Sequence, residues 1–90
     1  MTVSTGLYWL SFADGDRPKG EQFLGACTVR AADFIESVMA AHLLGINPGG
    51  CVEGFACDPG IEVPDKYVER LLTRAECEAM DRELLGRADR

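Results

Sequence analysis

The segment that most constrains the fold is 7–12, because its side chains are apolar on both faces of a strand. When the segment is extended, Leu7 and Trp9 point to one face, since successive side chains of a strand alternate. Leu10 and Phe12 point to the other face. A strand with two apolar faces belongs in the middle of a sheet that is covered on both sides. We therefore predict that 7–12 is the central strand.

A run of turn-forming residues separates this strand from a second one. Residues 13–20 contain two aspartates, two glycines and Pro18, which together interrupt regular structure. Residues 22–30 then return to an extended pattern in which alternate positions share a face. The two strands are predicted to form a hairpin with 13–20 as its loop.

A helix is predicted after the second strand. Asp33 is followed three residues later by Glu36, the spacing of a capping box with aspartate in the usual place of serine or threonine. The helix is expected to start at Phe34 and to stop at Gly45. The side expected to lie on the sheet comprises Phe34, Ile35, Val38, Met39 and His42, with His42 interpreted as a core histidine. The expected solvent side comprises Glu36, Ser37 and Ala40.

The second half of the chain contains a third strand and two more predicted helices. Residues 51–57 alternate as a strand, and 64–72 are predicted to form a short helix opened by a proline. Thr73 and Glu76 have the spacing of a second capping box, which predicts a last helix to about residue 85 that stops at a glycine. The tail, 87–90, is expected to fray.

The element order is therefore ββαβαα, which indicates a single α+β domain over 1–90. Placing the first strand in the centre predicts a three-stranded antiparallel-type sheet of order 2-1-3, with one crossover helix and two C-terminal helices. The crossover helix covers one face of this sheet. The C-terminal helices or a second copy of the chain must cover the other, because soluble proteins avoid large exposed apolar patches. A homo-oligomer is expected on this ground.

Charge and hydropathy exclude several classes of function. The 90 residues include 9 basic and 15 acidic side chains, a net charge of −6 that disfavours general binding to nucleic acids or anionic membranes. No apolar run is long enough to span a membrane. The first five residues lack the basic start of a signal peptide, so a cytoplasmic location is expected.

The cysteines do not have the spacing of a metal site or a redox motif. Cys27, Cys51, Cys57 and Cys77 include no C-x-x-C pair, and in a reducing compartment they are expected to be free thiols. No local signature marks any of them as an activated nucleophile. We therefore predict no metal, no cofactor and no catalytic residue, and we expect the protein not to be an enzyme.

Two loops carry the residue types that bind anions. Arg17 and Lys19 flank a proline that stiffens the hairpin loop, and an arginine can hold a phosphate through paired hydrogen bonds. Asn47, Gly49 and Gly50 lie in a loop whose backbone N–H groups are unobstructed by side chains. If the hairpin loop met the glycine loop of a neighbouring subunit, the two would form a pocket for a nucleotide-like ligand.

Each of these features also has a purely structural interpretation. The Arg17 and Lys19 loop can be a solvated hairpin tip, and the loop 47–50 can be an ordinary connection between a helix and a strand. Trp9 could stack on a base of the ligand, but a tryptophan in a central strand is more often part of the core.

Three segments carry a resemblance: YWLSF at 8–12, RPKGEQFLG at 17–25 and LGINPGG at 44–50. As a set they resemble a family of short uncharacterised proteins from phages and bacteria, over about residues 7–75. The resemblance carries no catalytic or binding residues over to this chain. It implies a setting in which small acidic phage proteins inhibit host machinery, some as homo-oligomeric sponges that sequester cyclic-nucleotide or ADP-ribose-type signals. Such an anti-defence role still has to be argued from a site.

Two hypotheses of function follow from the sequence. In the first, the chain is a small non-enzymatic protein that holds an anionic ligand between its two loops within a homo-oligomer. In the second, it is an acidic interaction module that inhibits or adapts a host protein through its C-terminal helices. The acidic residues expected at that surface are Glu69, Glu76, Glu78, Asp81 and Glu83.

Overall fold

The computed structural model describes residues 5–88, which form a three-stranded sheet and two α-helices. In chain order the elements are β1 (Gly6–Ala13), β2 (Phe23–Ala31), α1 (Phe34–Leu43), β3 (Cys51–Ala56) and α2 (Arg74–Ala88). The strand order is β2-β1-β3, and β1 is antiparallel to both neighbours. The α+β class and the order 2-1-3 are thus confirmed.

The central strand is covered on both faces, as its sequence predicts. Leu10 and Phe12 are at most 1% exposed and belong to the core cluster that includes Ala41 of α1. Leu7 and Trp9 pack on the opposite face with a second cluster that is built from the C-terminal part of the chain. The C-terminal part therefore covers the second face within one chain.

Helix α1 begins and ends where its local signals indicate. The side chain of Asp33 accepts a hydrogen bond from the backbone N–H of Glu36 at 2.8 Å, which satisfies one of the free donors at the helix start. The chain leaves the helix through Gly45, whose φ of 75° lies in the left-handed region that glycine adopts easily. The helix connects β2 to β3 across β1, which confirms the predicted crossover.

The rotation of α1 differs from the prediction. Ser37 and Ala41 face the sheet and are fully buried, whereas Ile35, Met39 and His42 are exposed. Small side chains let the helix approach the sheet closely, and Ser37 satisfies its hydroxyl by donating to the carbonyl oxygen of Phe34 at 2.5 Å. The core role predicted for His42 is therefore wrong, and so is the solvent-facing position predicted for Ser37.

The segment predicted as a helix over 64–72 folds mostly as an edge segment. Only Asp65–Tyr67 forms a single 3₁₀ turn. The chain then lies along the outer edge of β2, where Leu72 exchanges backbone hydrogen bonds with Ala26 at 2.6 and 3.1 Å, and Glu69 N–H donates to the Thr28 carbonyl at 2.7 Å. Both outward backbone groups of Ala26 and the carbonyl of Thr28 are thus satisfied. Within residues 5–88, the outer edge of β3 has no corresponding partner.

Helix α2 starts with the predicted capping box. The Thr73 hydroxyl accepts from the Glu76 N–H at 3.2 Å, and the Glu76 carboxylate accepts from the Thr73 N–H at 3.1 Å. The helix continues two residues beyond Gly86, so the predicted stop is wrong. Of the tail expected to fray, residues 87 and 88 are helical, and 89 and 90 lie outside the described residues. No helix within 5–88 is long and apolar enough to cross a membrane.

Candidate functional site

The two predicted anion-binding loops leave the same end of the sheet in a single chain. Ala13, the last residue of β1, pairs with Phe23 at the start of β2 and with Cys51 at the start of β3. Gly50 lies so close to the Ala13 carbonyl oxygen that a Cβ would overlap it, and its φ is 72°. The loop 47–50 is therefore tied to the base of the hairpin loop without a neighbouring subunit.

The cations of the hairpin loop are accompanied by carboxylates. Arg17 Nε lies 3.4 Å from Asp14 Oδ2, and the other oxygen of Asp14 accepts from the Asp16 N–H at 3.0 Å. Lys19 is exposed. With Glu21, the loop has three carboxylates against two cations. Its net potential therefore attracts anions less than its Arg-Pro-Lys motif alone would indicate.

The backbone of the second loop is partly occupied by its own side chain. Asn47 Oδ1 accepts from the N–H of Gly49 at 2.8 Å, which forms an Asx turn. The φ of Gly49 is 92°, a conformation that favours glycine. Because this N–H already has an acceptor, an anion at the loop would compete with Asn47 for it.

Trp9 lies away from both loops. It is four residues from Ala13 along β1, a distance of roughly 13 Å at the usual rise of a strand. Its side chain is half-buried on the face that the C-terminal part of the chain covers. The structure therefore brings Arg17, Asn47 and the two glycines to one end of the sheet but leaves Trp9 in a different environment.

A cleft of about 300 Å³ lies beside Trp9, between the sheet and α2. Apolar side chains form most of its wall, among them Trp9, Phe55, Val63 and Met80. Thr28 also lines it; this side chain is 0% exposed, and its hydroxyl has no hydrogen-bond partner among the described residues. Sequence reasoning missed Thr28, because a threonine in a strand is ordinary and only tertiary structure shows that its hydroxyl is unpaired.

A larger depression of about 570 Å³ adjoins the cleft at the end of the sheet opposite the loops. The charged groups that line it already have partners. Arg30 lies 3.6 Å from the Glu69 carboxylate, and Asp58 accepts from the Gly60 N–H at 2.8 Å. Because the unpaired buried group belongs to the cleft beside Trp9, we regard that cleft as the stronger candidate for a binding site.

The cysteine thiols do not form a reactive centre within the described residues. Burial raises the pKa of Cys27 to about 11. Burial also raises the pKa of Cys57 and Cys77, and the nearby Asp81 carboxylate adds to the increase at Cys77. All four thiols are free, and no three potential metal ligands come together within 5–88. The thiolate form, which acts as nucleophile, is thus disfavoured at these three cysteines.

Comparisons of the chain with models of protein families, with curated proteins and with solved structures found no match. The candidate sites are therefore identified from the structure of this chain alone.

Proposed function

We propose that this chain is a binding protein that works as a homodimer joined through α1. The observation that carries the proposal is the α1 stripe, which we define as Ile35, Met39 and Leu43. These side chains are 72%, 59% and 82% exposed, although all three are large and apolar. A helix that contacts only its own sheet would place polar residues at such positions.

The α1 stripe has the geometry of a helix-packing surface. Its members are spaced four residues apart, so they form a line on the side of α1 opposite the buried Ser37 and Ala41. An apolar groove of about 310 Å³ lies beside the line, between Met39, Leu43 and Asn47. Each copy therefore offers both a ridge and a groove, which is what ridges-into-grooves packing of two helices requires.

The stripe supplies about two thirds of the area that a small stable interface buries. At roughly 200 Å² for a complete large apolar residue, the three exposed fractions correspond to roughly 400 Å² per chain. Stable interfaces bury about 600 Å² or more per partner, so the flanking residues of α1 must contribute the rest. We expect a dimer at the small end of this range, which dissociates on dilution through micromolar concentrations.

The symmetry of the stripe favours a second copy as the occupant. If two α1 helices pack antiparallel about an axis at Met39, Ile35 of each copy lies opposite Leu43 of the other. An isologous contact of this kind matches apolar to apolar side chains without a further partner.

Analytical ultracentrifugation over a range of protein concentrations tests the proposal. We expect the wild-type chain to shift between monomer and dimer, and Leu43→Glu to remain a monomer at every concentration. Leu85→Glu is the matched control, because it makes the same change at another exposed leucine on α2. A wild-type chain that is monomeric throughout, or a Leu43→Glu variant that dimerises like the wild type, would contradict the proposal.

The register has its own test. In the antiparallel arrangement, position 35 of one copy faces position 43 of the other, so adding Ile35→Lys to Leu43→Glu places a lysine opposite each glutamate. The double variant should regain part of the dimerisation that Leu43→Glu alone removes. Circular dichroism confirms that each variant keeps its helices. Equal dimerisation of the single and double variants would show that the two helices meet in a different register.

A second candidate function is the binding of an anionic, nucleotide-like ligand at the loop end of the sheet. Its support is the convergence of the Arg17 and Lys19 loop with the loop 47–50 inside one chain. Calorimetry with a panel of nucleotides should then show binding that Arg17→Ala and Lys19→Ala weaken. Arg82→Ala, which removes an exposed cation from α2, is the control. Equal affinity in all of these proteins would dismiss the site.

A further inference from the structure

The hydroxyl of Thr28 is the most unusual polar group in the described structure. It lies on β2 opposite Trp9, so both side chains share the face beneath α2. Thr28 is fully buried, and its oxygen has no partner among residues 5–88. Buried polar side chains almost always have a hydrogen-bond partner, and an unpaired one is costly. Thr28 lines the cleft beside Trp9, but its oxygen is not accessible from the cleft, so a bound molecule must displace a covering side chain to supply the missing partner.

The wall of the cleft favours a ligand with an apolar ring or chain. Trp9 and Phe55 offer aromatic surfaces on neighbouring strands, and Met80 and Leu84 offer flexible aliphatic surfaces on α2. The volume of about 300 Å³ is at the small end of the range for ligand sites. Such a cleft accepts a single ring with a short chain, and its tryptophan favours a cation near the ring face.

The negative charge at the cleft favours a cationic group on the ligand. Asp58 and Asp81 both line the cleft and are exposed, and no lysine or arginine among the described residues lines it. A carboxylate or phosphate ligand would therefore meet only like charge there, whereas an ammonium group would be attracted. This preference is the opposite of the one expected at the Arg17 and Lys19 loop.

We propose that this cleft is a binding site for a small amphiphilic amine. The ring packs between Trp9 and Met80, a hydroxyl or similar group bonds Thr28, and the ammonium lies near Asp81. The site is separate from the α1 stripe and does not depend on the dimer.

Four related compounds separate the contributions to binding. Tyramine has the ring, the hydroxyl and the ammonium; phenethylamine lacks the hydroxyl; 4-ethylphenol lacks the charge; 4-hydroxyphenylacetate has the opposite charge. The readout is the NMR shift of the indole N–H of Trp9, the single tryptophan of the chain. Tyramine should bind about two- to fivefold more tightly than 4-ethylphenol, the range of an exposed ion pair. We expect 4-hydroxyphenylacetate to bind most weakly.

Two variants assign the polar contacts. Thr28→Val keeps the shape of the side chain and removes its hydroxyl, so it should weaken tyramine about two- to tenfold and leave phenethylamine unchanged. The same variant should raise the melting temperature of the free protein, because it removes an unpaired buried group. Asp81→Asn should weaken both amines but not 4-ethylphenol, and Asp16→Asn in the distant hairpin loop is its control.

The proposal is overturned if tyramine leaves the Trp9 resonance unmoved, or if the four compounds bind equally. It is also overturned if Thr28→Val binds tyramine as tightly as the wild type. In that case the Thr28 hydroxyl stays unpaired when tyramine is bound.

Discussion

Gly54 in β3 provides a quantitative test of how closely the sheet and α1 are packed. A Cβ at this position would overlap the Trp9 carbonyl oxygen, approach Leu10 Cδ2 to 2.7 Å and lie 3.2 Å from the ring of Phe34. The first of these atoms is backbone, so it cannot move aside without disturbing the β1–β3 pairing. We therefore expect Gly54→Ala to destabilise the fold.

The magnitude follows from two opposing contributions. Overpacking a well-packed site costs about 1–3 kcal/mol, and replacing a glycine by alanine in a strand gains about 0.5–1 kcal/mol. The net loss for Gly54→Ala is about 1.3 kcal/mol, or about 5–10 °C in melting temperature for a domain of this size. Gly6→Ala is the matched control, because a Cβ there has no atom within 4 Å. It should stabilise the protein by about 0.5–1 kcal/mol.

Urea unfolding followed by Trp9 fluorescence and far-UV circular dichroism measures both variants. The two free energies of unfolding should lie on opposite sides of the wild-type value and differ by about 2 kcal/mol. If Gly54→Ala is as stable as Gly6→Ala, a Cβ fits at position 54 without displacing the Trp9 carbonyl. That result would refute the expected overpacking.

Three further predictions concern the capping box, the thiols and the edge segment. Hydrogen bonding from Thr73 and the nearby Arg70 guanidinium lower the pKa of Glu76, so its stabilisation is present above the ordinary value of 4.5 and is lost as pH falls through the lowered pKa. Glu76→Gln should therefore melt below the wild type at neutral pH and converge with it in acid, and parallel curves would contradict this. Alkylation of the folded protein, followed by mass spectrometry, should label the exposed Cys51 first and Cys27, whose pKa is about 11, last; early labelling of Cys27 would contradict its burial. Leu72→Ala, at a side chain that is 0% exposed, should cost about 2–5 kcal/mol in denaturant unfolding, and a smaller loss would show that the edge segment packs loosely.

Local signals predict where α1 and α2 begin. Asp33 and Thr73 cap the helices that their spacing indicates, because a capping box depends on residues within one turn. The central position of β1 is also predictable, because two apolar faces leave a strand no other place in the sheet.

The features that depend on distant partners could not be predicted. The rotation of α1 follows from the small size of Ser37 and Ala41, which lets the helix lie close to the sheet. A helical wheel considers only the hydrophobicity of each side chain, so it does not predict which face allows the closest helix–sheet contact. The segment 64–72 has a helix-like start, but the unpaired edge of β2 offers its backbone better partners. The cleft beside Trp9 could not be predicted, because residues of α2 form part of its wall. The sequence indicates the chemistry of the two loops but not their convergence in one chain.

The unequal edges of the sheet limit how large an assembly built by strand addition can become. The 68–72 segment blocks the edge of β2, so within residues 5–88 the sheet is open to extension only at β3. If two chains pair through their β3 strands, no open edge is left, and the combined sheet ends at six strands instead of continuing as a fibre. Detachment of the 68–72 segment would give each chain two open edges, the requirement for unlimited growth. The attached edge segment thus limits strand addition to a pair of chains, and its detachment would permit aggregation.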